Sequence, residues 1–169
     1  ENNASTEIYM AEKKFEQNKF QEALDGDEQY AGLLEIIDSY SGTKTANLAE
    51  YYAGVSYLRL GDAETAIEHL DNFSSNDGIL APISTGAIGD AFSELGQDEE
   101  ALEYYIKAAE LRTNNFTTPV YLMKAANAAY SLGQKDKALS LYTRIENEFA
   151  TSREGQNISK YIARITSAQ

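Results

Sequence analysis

Between Tyr51 and Phe73 the apolar and small residues fall into two groups with helical spacing. Gly54 and Tyr57 belong to the first, and Ala66, Leu70 and Phe73 to the second. Leu60-Gly61-Asp62 separates them, which reads as a glycine stop followed by an acidic start. The same reading along the chain predicts helices over 5–18, from Phe20 into the QEAL stretch, and over 33–40, 45–60, 63–74, 82–95, 98–111, 119–132, 135–149 and 153–165. Asn18-Lys19 takes the place of the Gly-Asp turn. Residues 25–30 (Asp25 to Tyr30) are extra, and their clustered acids beside Gly26 and Gly32 predict a loop or kink, since glycine is costly inside a helix. Gly42 is expected to be a left-handed stop, Pro82 to open a helix, Thr118 to cap one ahead of Pro119, and Thr151 with Glu154 to form a capping box. Ile158, Tyr161, Ile162 and Ile165 give the last helix one apolar stripe, with Gln156, Ser159, Lys160 and Arg164 on its outer face. Residues 1–3 and 167–169 are expected to fray.

The pattern recurs. Gly89, Phe92, Gly96, Ala101, Tyr105 and Ala108 stand 35 residues beyond Gly54, Tyr57, Gly61, Ala66, Leu70 and Phe73. Ala126, Ala129, Gly133, Ala138, Tyr142 and Ile145 stand 37 beyond those. Helix–turn–helix units repeated at about 34 residues resemble the tetratricopeptide repeat (TPR) family. The resemblance implies an all-α fold, a right-handed α-α superhelix of about four repeats plus a C-terminal capping helix. The repeats fall at 5–40 (with the insertion at 25–30), 45–74, 82–111 and 119–149, and the cap at 153–166, in one domain over 1–169. An apolar-in, polar-out last helix is what the end of a repeat array requires.

Charge narrows the partners. The net charge of −13 argues against DNA or RNA, which need a basic stripe, and against docking of this domain on an anionic membrane. Its plainest consequence is solubility. The chain has no cysteine, so disulfides, thiolate metal sites and cysteine nucleophiles are excluded. No apolar run reaches the roughly 18 residues of a membrane helix. The chain starts at Glu1, and the expectation is that a preceding segment has been removed.

In TPR arrays the first helix of each repeat lines a concave groove. Carried over by position, the groove-facing residues are Ser5, Ile8, Glu12, Phe15 and Glu16 in the first repeat and Leu48, Tyr51, Val55, Leu58 and Arg59 in the second. In the third they are Ile83, Gly86, Asp90, Ser93 and Glu94, and in the fourth Val120, Met123, Asn127, Tyr130 and Ser131. Leu48, Tyr51, Val55, Arg59, Asp90, Met123, Asn127 and Tyr130 are the expected partner-binding set. An apolar floor with acidic edges suits a peptide or helix carrying some positive charge. The alternative for each is packing on a neighbouring helix. Binding of acidic chaperone tails is argued down, because their Lys and Asn clamp is matched here by Asn127 alone.

Other candidates reduce to structure. Asp25, Asp27 and Glu28 lack the further carboxylates of a calcium loop and read as a solvated loop. His69 is the only histidine and reads as a partly exposed helix residue. Gly86 to Asp90 contains GxxG inside a helix, where no phosphate cradle forms. Gly89 is expected where two helices cross, and Gly86 to widen the groove. The Asn-x-Ser/Thr triplets at Asn3, Asn72, Asn115 and Asn157 are read as chance. No cofactor, metal site or catalytic residue is expected.

A closer likeness lies in LDGDEQYAGLLEIIDSYSGTKTANLAEYYAGVSYLRLGDAETAIEHLDNF, GAIGDAFSELG, NNFTTPVYLMKAANAAYSLG and KYIARI. These strings resemble bacterial membrane-anchored envelope TPR proteins of the ancillary Sec-translocon-subunit type, in which the insertion and a Gly-Thr-Lys segment (here Gly42-Thr43-Lys44) recur. That resemblance implies a periplasm-facing domain tethered to the inner membrane by an N-terminal segment. It implies a non-catalytic scaffold for a peptide or partner protein in translocation, folding or assembly. Self-association into a homo-oligomer, or a place as a subunit of an envelope complex, is the alternative.

Overall fold

The computed structural model describes residues 2–167, with side chains from residue 5. The ends expected to fray lie partly outside them; Asn2 is already helical. Ten α-helices and one small hairpin are described. The chain divides into two compact units, Glu1–Ser74 and Ser75–Gln169.

In the first unit, α1 (Asn2–Glu16) turns into α2 (Phe20–Asp25) through Asn18, whose φ of 58° fills the left-handed position that Gly61, Gly96 and Gly133 hold in the later turns. Asparagine tolerates this better than other non-glycine residues. The insertion is not an irregular loop. It is a hairpin, β1 (Gly26–Asp27) paired antiparallel with β2 (Tyr30–Ala31), in register Gly26↔Ala31 and Asp27↔Tyr30. Its ends almost touch: a Cβ on Gly26 would sit 2.3 Å from the Gly32 nitrogen, and one on Gly32 2.4 Å from the Gly26 nitrogen. Then follow α3 (Leu33–Ser39), α4 (Lys44–Leu60) and α5 (Ala63–Asn72). Gly42 is left-handed as expected, and the Thr43 hydroxyl caps α4 through Ala46 N. The core joins Ile8, Ala11, Leu24, Leu33, Ile36, Ala49 and Ala53. Gly54 sits against Leu70, where a Cβ would come within 2.6 Å of its Cγ.

The second unit is α6 (Leu80–Glu94), α7 (Asp98–Leu111), α8 (Thr118–Ser131), α9 (Lys135–Glu148), a 3-10 turn at Gly155–Asn157 and α10 (Ile158–Thr166). Its core gathers Ala101, Tyr105, Leu122, Ala126, Tyr142, Ile145, Phe149, Ile158 and Ile165. Three expected starts are displaced. α6 opens at Leu80 rather than Pro82, because the Asp77 carboxylate accepts from the backbone of Ile79 (2.8 Å) and Leu80 (2.7 Å). Thr118 does not cap α8 but is its first residue, and its hydroxyl accepts from Asn114 N and donates to Ala109 O. The capping box at Thr151 and Glu154 does not form. The Ser152 hydroxyl accepts from Gly155 N instead, and α10 begins only at Ile158.

Candidate functional site

The clearest concentration of placed polar chemistry is on α6 and α8 of the second unit. It starts from a packing requirement. Tyr105 and Tyr142 occupy core positions of α7 and α9 and are buried, so each hydroxyl needs a partner. Tyr105 donates to Asp90 Oδ1 at 2.7 Å, and Tyr142 to Asn127 Oδ1 at 2.6 Å. Each partner lies on the first helix of the same repeat, fifteen residues earlier. In the first unit the equivalent pair is Val55 and Leu70, which has no hydroxyl to satisfy. Burial, then the bond to Asp90, pushes the Tyr105 hydroxyl well above the usual tyrosine range.

Lys124 completes the arrangement. Its Nζ reaches Asp90 Oδ1 at 2.5 Å and Oδ2 at 2.8 Å, and it lies over the Tyr105 ring, 5.4 Å from the centroid. Next to it opens a cleft of about 290 Å³, lined by Ser93, Asp98, Tyr105, Lys124, Asn127, Ala128 and Ser131. Further along α8, the Arg164 guanidinium stacks on Tyr130, 4.0 Å from its centroid, and also faces Tyr161 at 5.6 Å. Arg164 is exposed on α10, as expected, and lays its planar cation over the two rings.

The expected partner-binding residues divide between the units. Asp90 and Asn127 stand at the cleft region, Asn127 exposed and Asp90 half-buried. Met123 and Tyr130 are half-buried and pack against the second unit's core. On α4, Leu48, Tyr51 and Val55 are half-buried and Arg59 is exposed. The Tyr51 ring meets Tyr52 at 5.5 Å and Phe73 at 5.4 Å, so much of it is packing. Gly86 does not widen a groove. It makes room for the Tyr121 ring, whose Cε1 lies 2.0 Å from where a Cβ would be. His69 is half-buried, with Nδ1 2.6 Å from Glu50 Oε2 and its ring stacked on Tyr57 at 5.3 Å.

Sequence reasoning placed Ser93 in the groove but missed Lys124, Tyr105 and Asp98 as its neighbours in one cleft. A signal existed: a tyrosine at a repeat core position, with a polar residue fifteen places before it. In the first unit a cleft of about 490 Å³ lies between the Ser41–Lys44 loop, Glu50 and Asn72. Among the described residues no three His, Asp or Glu side chains gather as a metal site, and no helix is long and apolar enough to cross a membrane.

The pattern of the tetratricopeptide repeat matches residues 48–77, 86–115 and 121–152, together more than half of the chain. The chain belongs to the TPR family. Nearly identical TPR-like repeats of a Podosopora anserina protein described as a kinesin light chain share its fold, as does their Q17M variant. Each has a TM-score of 0.70 at 15% identity, covering 98% of this TPR chain and 86% of that one. At that identity the likeness concerns the fold, an all-α TPR superhelix. No curated protein matches the chain. TPR repeats are generally protein-interaction scaffolds, and that coarse role is this chain's.

Proposed function

We propose that this TPR chain is a non-catalytic scaffold that holds a peptide segment or partner protein along the exposed face of α6 and α8. The observation that carries the reading is the cleft beside Asp90, Lys124 and Asn127. Its polar groups are fixed in place by the buried tyrosines behind them, so a guest meets a preorganised surface. On α4 of the first unit, Leu48, Tyr51, Val55 and Arg59 are the residues that the TPR likeness assigns to partner binding. The context we propose is bacterial envelope protein translocation, folding or assembly, next to a translocon, chaperone or envelope complex. There the domain would face the periplasm on an inner-membrane tether. The support for that context is the resemblance of the insertion, the Gly42-Thr43-Lys44 segment and the NNFTTP string.

The test is photo-crosslinking in cells from position 127, which is exposed, with mass spectrometry of the captured species. Capture of secreted chains, translocon subunits or chaperones is expected. Capture of the chain itself would replace the reading by self-association, and loss of any product specific to this face would refute it.

A further inference from the structure

We propose that the 290 Å³ cleft between Ser93 and Ser131 takes a basic side chain, lysine or arginine, of the bound partner; this rests on the scaffold reading above. The argument is one of charge and hydrogen-bond balance. Among the described residues lining the cleft Lys124 is the one cation, and both Asp90 oxygens already hold it. Asp98 is the remaining charge. It is the first residue of α7 and is half-buried in the cleft lining. The other polar groups are oxygen-rich. Ser93 and Ser131 offer hydroxyls, and Asn127 Oδ1, accepting from Tyr142, has a second lone pair. Tyr105 is buried, gives its proton to Asp90 and accepts from the Ser93 hydroxyl, which leaves the Ser93 oxygen to accept.

An anionic guest would therefore meet a carboxylate and a lysine already neutralised. A basic guest meets a carboxylate and several acceptors, inside the field of a chain with net charge −13. The Tyr105 ring and Ala128 supply apolar surface for an aliphatic stem, and the volume suits one long side chain with some water.

The test uses the full chain and four capped alanine pentapeptides whose central residue is Arg, Lys, norleucine or Glu. Backbone amide shifts of Ser93, Asn127 and Ser131 report binding. The Arg and Lys peptides are expected to shift these amides and the Glu peptide to leave them unmoved. Asp98→Asn is expected to weaken the Arg peptide about fivefold, the factor a partly exposed ion pair is worth. Ser131→Lys, at an exposed position, is expected to abolish its binding. Equal binding of norleucine or Glu, or an Arg affinity indifferent to Asp98→Asn, overturns the proposal. Crosslinking from position 127 separates the two ideas. Partner capture that persists unchanged in Asp98→Asn removes the basic-side-chain inference and leaves the scaffold. Absence of capture removes the scaffold.

Discussion

Gly86→Ala tests whether close approach at α6 and α8 is what fixes this face. The new Cβ would lie 2.0 Å from Tyr121 Cε1, 2.3 Å from Cζ and 2.7 Å from the hydroxyl oxygen. Carbon atoms settle near 3.5–4.0 Å, so the ring must retreat by about 1.5 Å. Tyr121 is 8% exposed and has little free space to retreat into. Overpacking of this kind costs about 1–3 kcal/mol or more. Alanine in place of glycine inside a helix returns about 1 kcal/mol. The net expectation is a loss of about 1–2 kcal/mol, at the upper end of that overpacking range. In a Tyr121→Ala background the clash is gone, and Gly86→Ala should then stabilise by about 1 kcal/mol. The two substitutions should thus couple by about 2–3 kcal/mol. Urea unfolding followed by far-ultraviolet circular dichroism gives the four stabilities. A neutral or stabilising Gly86→Ala in the parent chain, or the same effect in both backgrounds, would refute the reasoning.

Asn114→Ala should cost about 1–3 kcal/mol in thermal melting, since it leaves loop groups unpaired. Asn114 accepts from Phe116 N and Thr117 N and donates to Gly78 O, Arg112 O and Thr117 Oγ1. Asn114→Asp, which keeps the acceptors alone, should recover part of that loss. Asp77 should make the acid limb of stability steeper. The backbone amides of Leu80 and Ile79 hold its carboxyl below the usual value, so its contribution is present above the unfolded pKa and is lost as pH falls through the lower folded one. Asp77→Ala should flatten that limb in pH-dependent urea titrations. Tyr51→Ala should reduce stability by about 1–3 kcal/mol by removing its contacts with Tyr52 and Phe73. A melting curve will therefore separate lost capture from lost packing.

The repeat spacing made the helices and their order legible, because Gly54, Gly89, Leu70, Tyr105 and Tyr142 mark contacts made within one repeat. Contacts outside that rhythm were hidden. Gly86 gained its meaning only from Tyr121, a residue of the next repeat. The insertion was read as a loop because the acids of 25–30 mask a hairpin whose two-residue strands have no periodicity to show. The displaced helix starts share one cause, hydrogen bonds supplied by a residue other than the expected one: Asp77 and Asn114 lie a few residues before the expected position, and Ser152 lies one after Thr151. At the site, Asp90 and Asn127 were chosen for facing a groove. Their first task is to satisfy tyrosines behind them, and what remains of their hydrogen-bonding capacity is available to a guest.

The hairpin has a consequence for handling the protein. Gly26 and Gly32 bring the two ends of the insertion into backbone contact, so the chain leaves the helical unit and returns at nearly the same point. Whatever lies between Glu28 and Gln29 at the tip is a side trip that α2 and α3 need not register. Closing a longer excursion there is inexpensive: each doubling of loop length adds only about 0.6 kcal/mol of entropy cost. A fluorophore site, an epitope or a small guest domain can be spliced into that tip, giving a reporter on the TPR chain that leaves the joined ends of the insertion in place.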